Sequence, residues 1–434
     1  MQKQNTEQKL ELSHKSQMIL ILICWAVYTV AYIGRYSYTA NGVPIMKYYA
    51  VNKDEFALAT TFFFFAYGAG QILNGIFCRR YPMRFMIAGA LILSALINGA
   101  VFFGLPFGFI KYAWLVNGLC QSVFWASLLR ILSCYLDEKH MNKAVVIMST
   151  PVTLGTLLVY GVSALLAMFD GFKLAFLLSF VLMAAMGVLW LFCFPHVTKN
   201  AKLENLSARA TADTETSQSE GTSEKQNSIW KNMIVSGLLS LLVLFCVYAI
   251  VSNFIKDGLT TWVPQILNER YQLSDSLSII LTLVLPILGL CGAILAVFLN
   301  KFVKNHSDLL GVFFALSAVT VFGIQLLFKT EHWYLVLLLF GLVSLFMNGA
   351  NNIITNMFPL SVGKKYNSGL LAGLLNGACY VGSTLSQYCI ALIAIAGDWS
   401  AVINVFLYLC IALAAFSAIL LFVRQILAKR AAKR

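Results

Sequence analysis

The sequence predicts an all-α membrane protein of about twelve transmembrane helices, arranged as two pseudo-symmetric six-helix bundles. Three observations predict it. First, the 434-residue chain is 59% hydrophobic and only 11% charged, with a mean hydropathy of +0.78. Soluble domains carry about 25% charged residues, so lipid rather than water must solvate most of this surface. Second, the apolar residues come in continuous runs of about 20, the length that crosses a bilayer as a helix. Third, one polar segment splits the chain into nearly equal parts.

A hydropathy window of about 19 residues separates the runs. Spans are expected to begin near Met18, Phe56, Pro82, Tyr112, Lys143 and Phe172, and again near Leu238, Ser276, Leu309, Trp333, Ser368 and Ala401. Helices are required because each lipid-facing backbone group must be satisfied within its own segment. A β-barrel would show alternating segments of about ten residues. The first run is read as a retained helix, since no small-residue cleavage site follows it. Residues 196–228 are rich in Ser, Thr, Glu and Lys, too poor in apolar surface to fold alone. They are expected to form a flexible cytoplasmic linker between an N-terminal bundle, residues 1–195, and a C-terminal bundle, residues 229–434.

The net charge is +13, but the distribution excludes a nucleic-acid surface. Of 31 Lys and Arg, 22 sit at the termini, in the linker region and in the loops after even-numbered spans, and six in the opposite loops. By the positive-inside rule both termini are cytoplasmic. The expected setting is the plasma (inner) membrane, with the chain working as a monomer. The ten Cys lie in or beside apolar runs without C-x-x-C pairs or His clusters, so they read as small core residues and no metal or cofactor is expected.

Three cations remain inside spans, Arg35, Arg130 and Lys256, and one acid, Asp257. Intramembrane charges usually face a cavity or a partner, and a cavity with this cationic surplus selects a small anion. Arg35 shares a helix face with Tyr28 and Tyr32, which supply hydroxyl donors. It reads either as an anion ligand, with Tyr36 beside it, or as an arginine snorkelling to headgroups. Lys256 occupies the matching place in the seventh span: aligning Arg35 with Lys256 also aligns Thr39 with Thr260. Two cations facing across a pseudo-two-fold axis can clamp one phosphate or carboxylate. The alternative is a local Lys256–Asp257 pair, although adjacent helical residues point apart. Arg130 reads as a structural or gating cation near Tyr135, paired with Asp137, Glu138 or carbonyls. Further polar candidates inside spans are Tyr67, Gln71, Gln121, Trp125, Asn352, Asn376 and Tyr380. The spacing Gly369, Gly373, Gly377 reads as a packing seam.

At these residues the chain resembles the organophosphate:phosphate antiporters of the major facilitator superfamily, which include glycerol-3-phosphate and hexose-6-phosphate transporters. Ala31-Tyr32-Ile33-Gly34-Arg35 is similar to the family's tyrosine-rich first span ending in a phosphate-binding Arg. Lys256-Asp257-Gly258-Leu259-Thr260-Thr261-Trp262-Val263-Pro264 is similar to its seventh-span motif. Ala66-Tyr67-Gly68, the stretch from Gln121 to Arg130, and Gly363-Lys364-Lys365 match in order. The chain departs from the family at Lys256, where the family has Arg, and at Gln71, where it has Lys. Val152 stands in place of a His, and Arg79-Arg80 replaces an Asp-Arg loop pair. Arg35 and Arg130 also fit the anion:cation symporters of sugar acids, although Gly34 stands where that family has an acid.

The resemblance implies a secondary transporter, not an enzyme. The substrate would be a small organic anion, an organophosphate exchanged for inorganic phosphate by alternating access. Two other readings stay open: a proton-coupled carboxylate or sugar-acid symporter using Asp257, and a transporter-shaped sugar-phosphate sensor.

Overall fold

The computed structural model describes residues 12–77, 82–169, 171–199, 238–303, 305–362 and 368–431. Arg79-Arg80, Gly363-Lys364-Lys365 and most of the 196–228 segment fall outside these residues.

The first half comprises α1 His14–Ala40, α2 Gly42–Tyr49, α3 Lys53–Phe77, α4 Met83–Phe102, α5 Phe107–Tyr135, α6 Glu138–Ile147, α7 Pro151–Ala167 and α8 Phe172–Thr198. The second comprises α9 Leu238–Tyr271, α10 Asp275–Leu281, α11 Val284–Leu299, α12 His306–Leu327, α13 Trp333–Asn352, a π-helical turn Ile353–Met357, α14 Phe358–Val362 and α15 Ser368–Ala431. The last stretch is two helices. At Gly397 and Asp398 the backbone leaves helical geometry, with Asp398 at φ 62°, and the Asp398 carboxylate accepts from the Ser400 N–H at 2.6 Å, restarting the helix as a cap. Ten stretches are long and apolar enough to cross a membrane, with the bent Leu371–Ile426 counted once and the shorter apolar Pro151–Ala167 besides. Counting α15 twice and adding α7 gives the twelve expected spans.

Local chemistry sets the boundaries. Ser13, Asp137, Ser274 and Asn305 cap α1, α6, α10 and α12 with side-chain oxygens on backbone N–H groups. Pro82 and Pro106 precede α4 and α5, and Pro151 opens α7. The fifth span therefore starts at Pro151, not near Lys143. Lys143 belongs to α6, a separate helix that ends in the turn before that proline. Large apolar side chains such as Phe192, Val319 and Phe422 face outward, where lipid rather than water suits them.

The same helix pairs recur in both halves. α7 packs on α1 as the first part of α15 packs on α9, and α5 packs on α3 as α13 packs on α11. Glycines permit the approach. A Cβ on Gly155 would run into the Thr29 carbonyl of α1, and one on Gly382 into the Ile250 carbonyl of α9. Thr29 and Ile250 each stand six residues before the cation of their helix, Arg35 and Lys256. The packing register thus matches the internal alignment that paired those two residues.

The halves meet unequally along their length. Toward the end where α1 finishes, here the far side, one apolar core runs through both halves, joining Tyr38, Phe56 and Trp114 to Trp262, Trp399 and Phe406. On the side that holds the start of α1, the first half has its own core of Leu20, Tyr28, Phe124 and Tyr135, without residues from the second half. The bundles converge on the far side and part toward the termini.

Candidate functional site

Arg35 lies where the two bundles begin to part. It is 6% exposed, and its guanidinium carbon stands 4.4 Å from the Tyr67 ring centre and 5.2 to 5.6 Å from those of Tyr32, Tyr36, Phe63 and Phe64. An arginine enclosed by five rings inside the bundle is not snorkelling outward. The rings follow from helix geometry: Tyr32 and Tyr36 flank Arg35 on α1, while Phe63, Phe64 and Tyr67 project from one turn of α3. None of the ion pairs among the described residues includes Arg35, and its Nε has no hydrogen-bond partner. Aromatic faces stabilise the charge without using up its N–H donors.

Lys256 is arranged differently. Its Nζ lies 3.5 Å from the Asp257 carboxylate. Adjacent helical residues do point apart, but the four-carbon lysine stem is long enough to curl round to its neighbour. Ser383 on α15 donates its hydroxyl to the other Asp257 oxygen. Asn253, one turn before, bonds Asn351 at 3.0 Å, and Cys379 reaches the same Asn351 oxygen at 3.4 Å. Tyr32 and Tyr36 interact electrostatically with both Arg35 and Asp257. The geometric link runs through Tyr67, whose ring lies over Arg35 and 4.7 Å from that of Tyr380 on α15, one turn before the Ser383 that binds Asp257.

Several candidates meet across the halves. Asn376 donates to Gln71 at 2.6 Å, and the Tyr67 and Tyr380 rings lie 4.7 Å apart. Gln121 is buried with an unpartnered amide nitrogen, and Trp125 lies against Tyr28 at 5.2 Å. Asn352 is not part of this group. Its amide is turned to the Ala293 carbonyl of α11, and its oxygen accepts from Asn356. The neighbouring Asn351 is the one that faces α9, a single-residue difference that helical rotation decides and side-chain type cannot. Arg130, near the end of α5, lies on the terminus side, while Asp137 serves as the α6 cap and binds His140. The face of α15 carrying Gly373 and Gly377 is open: a Cβ at either would meet nothing within 4 Å. Asn376 and Tyr380 on the same side of α15 reach α3, so the gap is local to the two glycines, where the expected seam is unpacked.

Sequence reasoning missed a second cluster. On the far side Lys53 of α3 lies 2.9 Å from Glu269 of α9. Glu269 also accepts from Trp399 Nε1 at 2.8 Å and Gln265 Nε2 at 2.7 Å. The Lys53 ammonium stands 5.3 Å from the Trp399 ring, and Lys47 pairs with Asp275. These residues latch one half to the other. Their lysines registered in the sequence only as loop charges, and their acids lie far away in the chain.

The chain from residue 24 to 387 matches the model of the Major Facilitator Superfamily. It is 22% identical to sugar phosphate exchanger 3 of Xenopus laevis, over 87% of this chain and 81% of that protein. It is 21% identical to the hexuronate transporter of Bacillus subtilis (strain 168), over 71% and 70%. Its fold superposes on a bacterial homologue of the human lysosomal transporter Spinster, solved in an inward-facing, unoccupied conformation. The TM-score is 0.72 at 14% identity, covering 93% of this chain and 97% of the other. With its helices, its repeated pairings and the match over most of its length, this chain belongs to the Major Facilitator Superfamily of transporters.

Proposed function

We propose that this transporter moves a small organic anion, an organophosphate exchanged for inorganic phosphate, and that Arg35 and Lys256 hold the anion from opposite halves. The observation that carries the reading is Arg35: a buried guanidinium with no carboxylate partner among the described ion pairs, ringed by aromatics and linked to the second half through Tyr67 and Tyr380. Such a group is costly to leave uncompensated and matches a phosphate or carboxylate through charge-assisted hydrogen bonds worth about 1.5–3 kcal/mol each. Similarity to a sugar phosphate exchanger supports the same substrate class. Both termini are cytoplasmic in this reading, so the parted side opens inward and the Lys53–Glu269 latch closes the outside. The chain acts as a monomer in the plasma membrane.

The test is exchange in proteoliposomes loaded with labelled phosphate. External sugar phosphate should accelerate efflux, and a protonophore should leave it nearly unchanged. Arg35→Ala and Lys256→Ala should each abolish exchange in folded protein. Arg35→Lys should be worse than Lys256→Arg, since a point charge replaces the planar donor fork in the first and gains it in the second. Wild-type affinity in both alanine variants sinks the clamp.

A proton-coupled sugar-acid symport is the second reading. The carboxylate of Asp257 inside the candidate site and similarity to a hexuronate transporter favour it. Uptake that needs a proton gradient and disappears in Asp257→Asn selects it.

A further inference from the structure

Arg35 and the Lys256–Asp257 pair are linked through Tyr67, Tyr380 and Ser383, and their charges are unequal in number. Arg35 contributes one positive charge with no acidic partner among the described ion pairs. Lys256 contributes a second, and Asp257 beside it cancels that one. Asp257 contacts Lys256 on its own helix and Ser383 on α15, with Cys379 on α15 and Tyr32 and Tyr36 on α1 within electrostatic range. With Asp257 ionised the site holds one net positive charge, and with Asp257 protonated it holds two.

An occluded complex in a low-dielectric bundle is favoured when its charges sum to zero, because an uncompensated buried ion costs several kcal/mol. We propose that Asp257 counts the charge of the substrate. A singly charged anion enters alone, and a doubly charged phosphate monoester enters with one proton, taken from water onto the Asp257 carboxylate. Protonation ends the Asp257–Lys256 ion pair and frees the ammonium to join Arg35 on the dianion. Ser383 is placed to accommodate the change. Its hydroxyl oxygen lies within reach of Asp257 and also 3.0 Å from the Cys379 carbonyl. It donates to the carboxylate in one form. In the other it turns to donate to the carbonyl and accepts from the new carboxyl O–H. No polar group is orphaned in either form, as a buried switch requires. The inference rests on the proposed anion site and adds the rule that one carboxylate lets the site take singly charged acids and doubly charged phosphates.

Two probes of one shape separate the charges. Glucose 6-phosphate is doubly charged above its second pKa of about 6, and glucose 6-sulfate stays singly charged. Binding to purified protein is measured from about pH 7 to 8.5, with proton uptake recorded in weakly buffered solution. The phosphate ester should take up one proton, and its affinity should fall by about tenfold per pH unit, the slope of one-proton linkage. The sulfate ester should take up none and stay flat. In Asp257→Asn the phosphate slope and its proton uptake should vanish, and at the alkaline end the phosphate-over-sulfate preference should rise at least tenfold. If that variant fails to fold, the proton counts of the wild type decide. Phosphate-ester binding without proton uptake, or a pH slope that persists in folded Asp257→Asn, overturns the charge count and leaves the anion site standing. Failure of both esters to bind wild-type protein overturns the anion site and this inference with it.

Discussion

Removing the Lys53 ammonium should release the far-side latch. In Lys53→Ala the 2.9 Å contact with Glu269 is lost, together with the ammonium over the Trp399 ring. The Lys53 and Glu269 side chains are 21% and 33% exposed, so the pair belongs near the surface class, worth about 0.2–1 kcal/mol. The cation–π contact adds about 0.5–1 kcal/mol. Together they give about 1–2 kcal/mol, which shifts a two-state population by about 5- to 30-fold. The shift is toward the state opened on the far side, because Lys53 and Glu269 belong to different halves. Glu269 keeps Trp399 and Gln265 as partners, so the fold survives. The assay is electron–electron spin resonance between labelled unnatural residues at Phe103 and Glu331, exposed far-side positions of the two halves. The longer-distance population should grow by the stated factor. The double variant Lys53→Glu with Glu269→Lys should recover part of the wild-type distribution. An unchanged distribution in Lys53→Ala refutes the reasoning and leaves the pair a bystander.

The open face of α15 gives a second test. Gly373→Leu should leave expression and melting temperature near wild type, because nothing lies within 4 Å of the new Cβ. It should slow transport severely, because the leucine obstructs closer approach of α15 to α3, which it already meets through Asn376 and Tyr380; full transport refutes this. The α6 cap gives a third, based on pH. Hydrogen bonds from the His140 backbone N–H and then its ring hold the Asp137 carboxyl below the usual carboxylate range. Its contribution is therefore present above the ordinary range and lost as pH falls through the lowered value. Asp137→Asn, which cannot titrate, should flatten the acid limb of a melting-temperature profile. The fourth concerns topology: protease added to right-side-out cells should spare residues 196–228, and inverted vesicles should expose them. Cleavage from outside would reverse the orientation read from the loop charges.

What was legible in the sequence followed from local rules. Apolar length announces a span, because lipid forces backbone satisfaction within each helix, and eleven of the twelve expected spans lie in the ten long apolar stretches, the bent α15 holding two of them. Position within a repeat was legible as well. Arg35 and Lys256 stand at one register relative to the glycine contacts of Gly155 and Gly382. Rotation and partner choice were not legible. Asn351 and Asn352 are the same residue type, and only the seating of α13 turns one toward Asn253 and the other toward Ala293. Lys53 and Glu269 lie on different bundles, so their meeting is a property of the docked halves. The division of α15, by contrast, was legible: spans expected from Ser368 and from Ala401 are separated by the break at Gly397 and left-handed Asp398.

The halves repeat their helix pairing but not their charge. Tyr36 follows Arg35 where Asp257 follows Lys256, so one cation is screened by rings and the other by a carboxylate. Aromatic contacts stabilise the guanidinium but leave its positive charge in place, and desolvating that charge costs several kcal/mol. On the proposed anion site, the empty transporter keeps one net positive charge, and carrying it through a closed state without an anion should be slow. Asp257→Asn leaves two such charges. Net efflux requires the empty site to return, whereas exchange returns it loaded. In proteoliposomes of Asp257→Asn, net phosphate efflux should fall more than phosphate–phosphate exchange. The ratio of exchange to efflux should rise by about tenfold, equivalent to about 1.4 kcal/mol on the empty return. Equal losses in both fluxes would mean that the empty site's charge does not limit its return, and would refute the proposal that Arg35 and Lys256 make the transporter an exchanger.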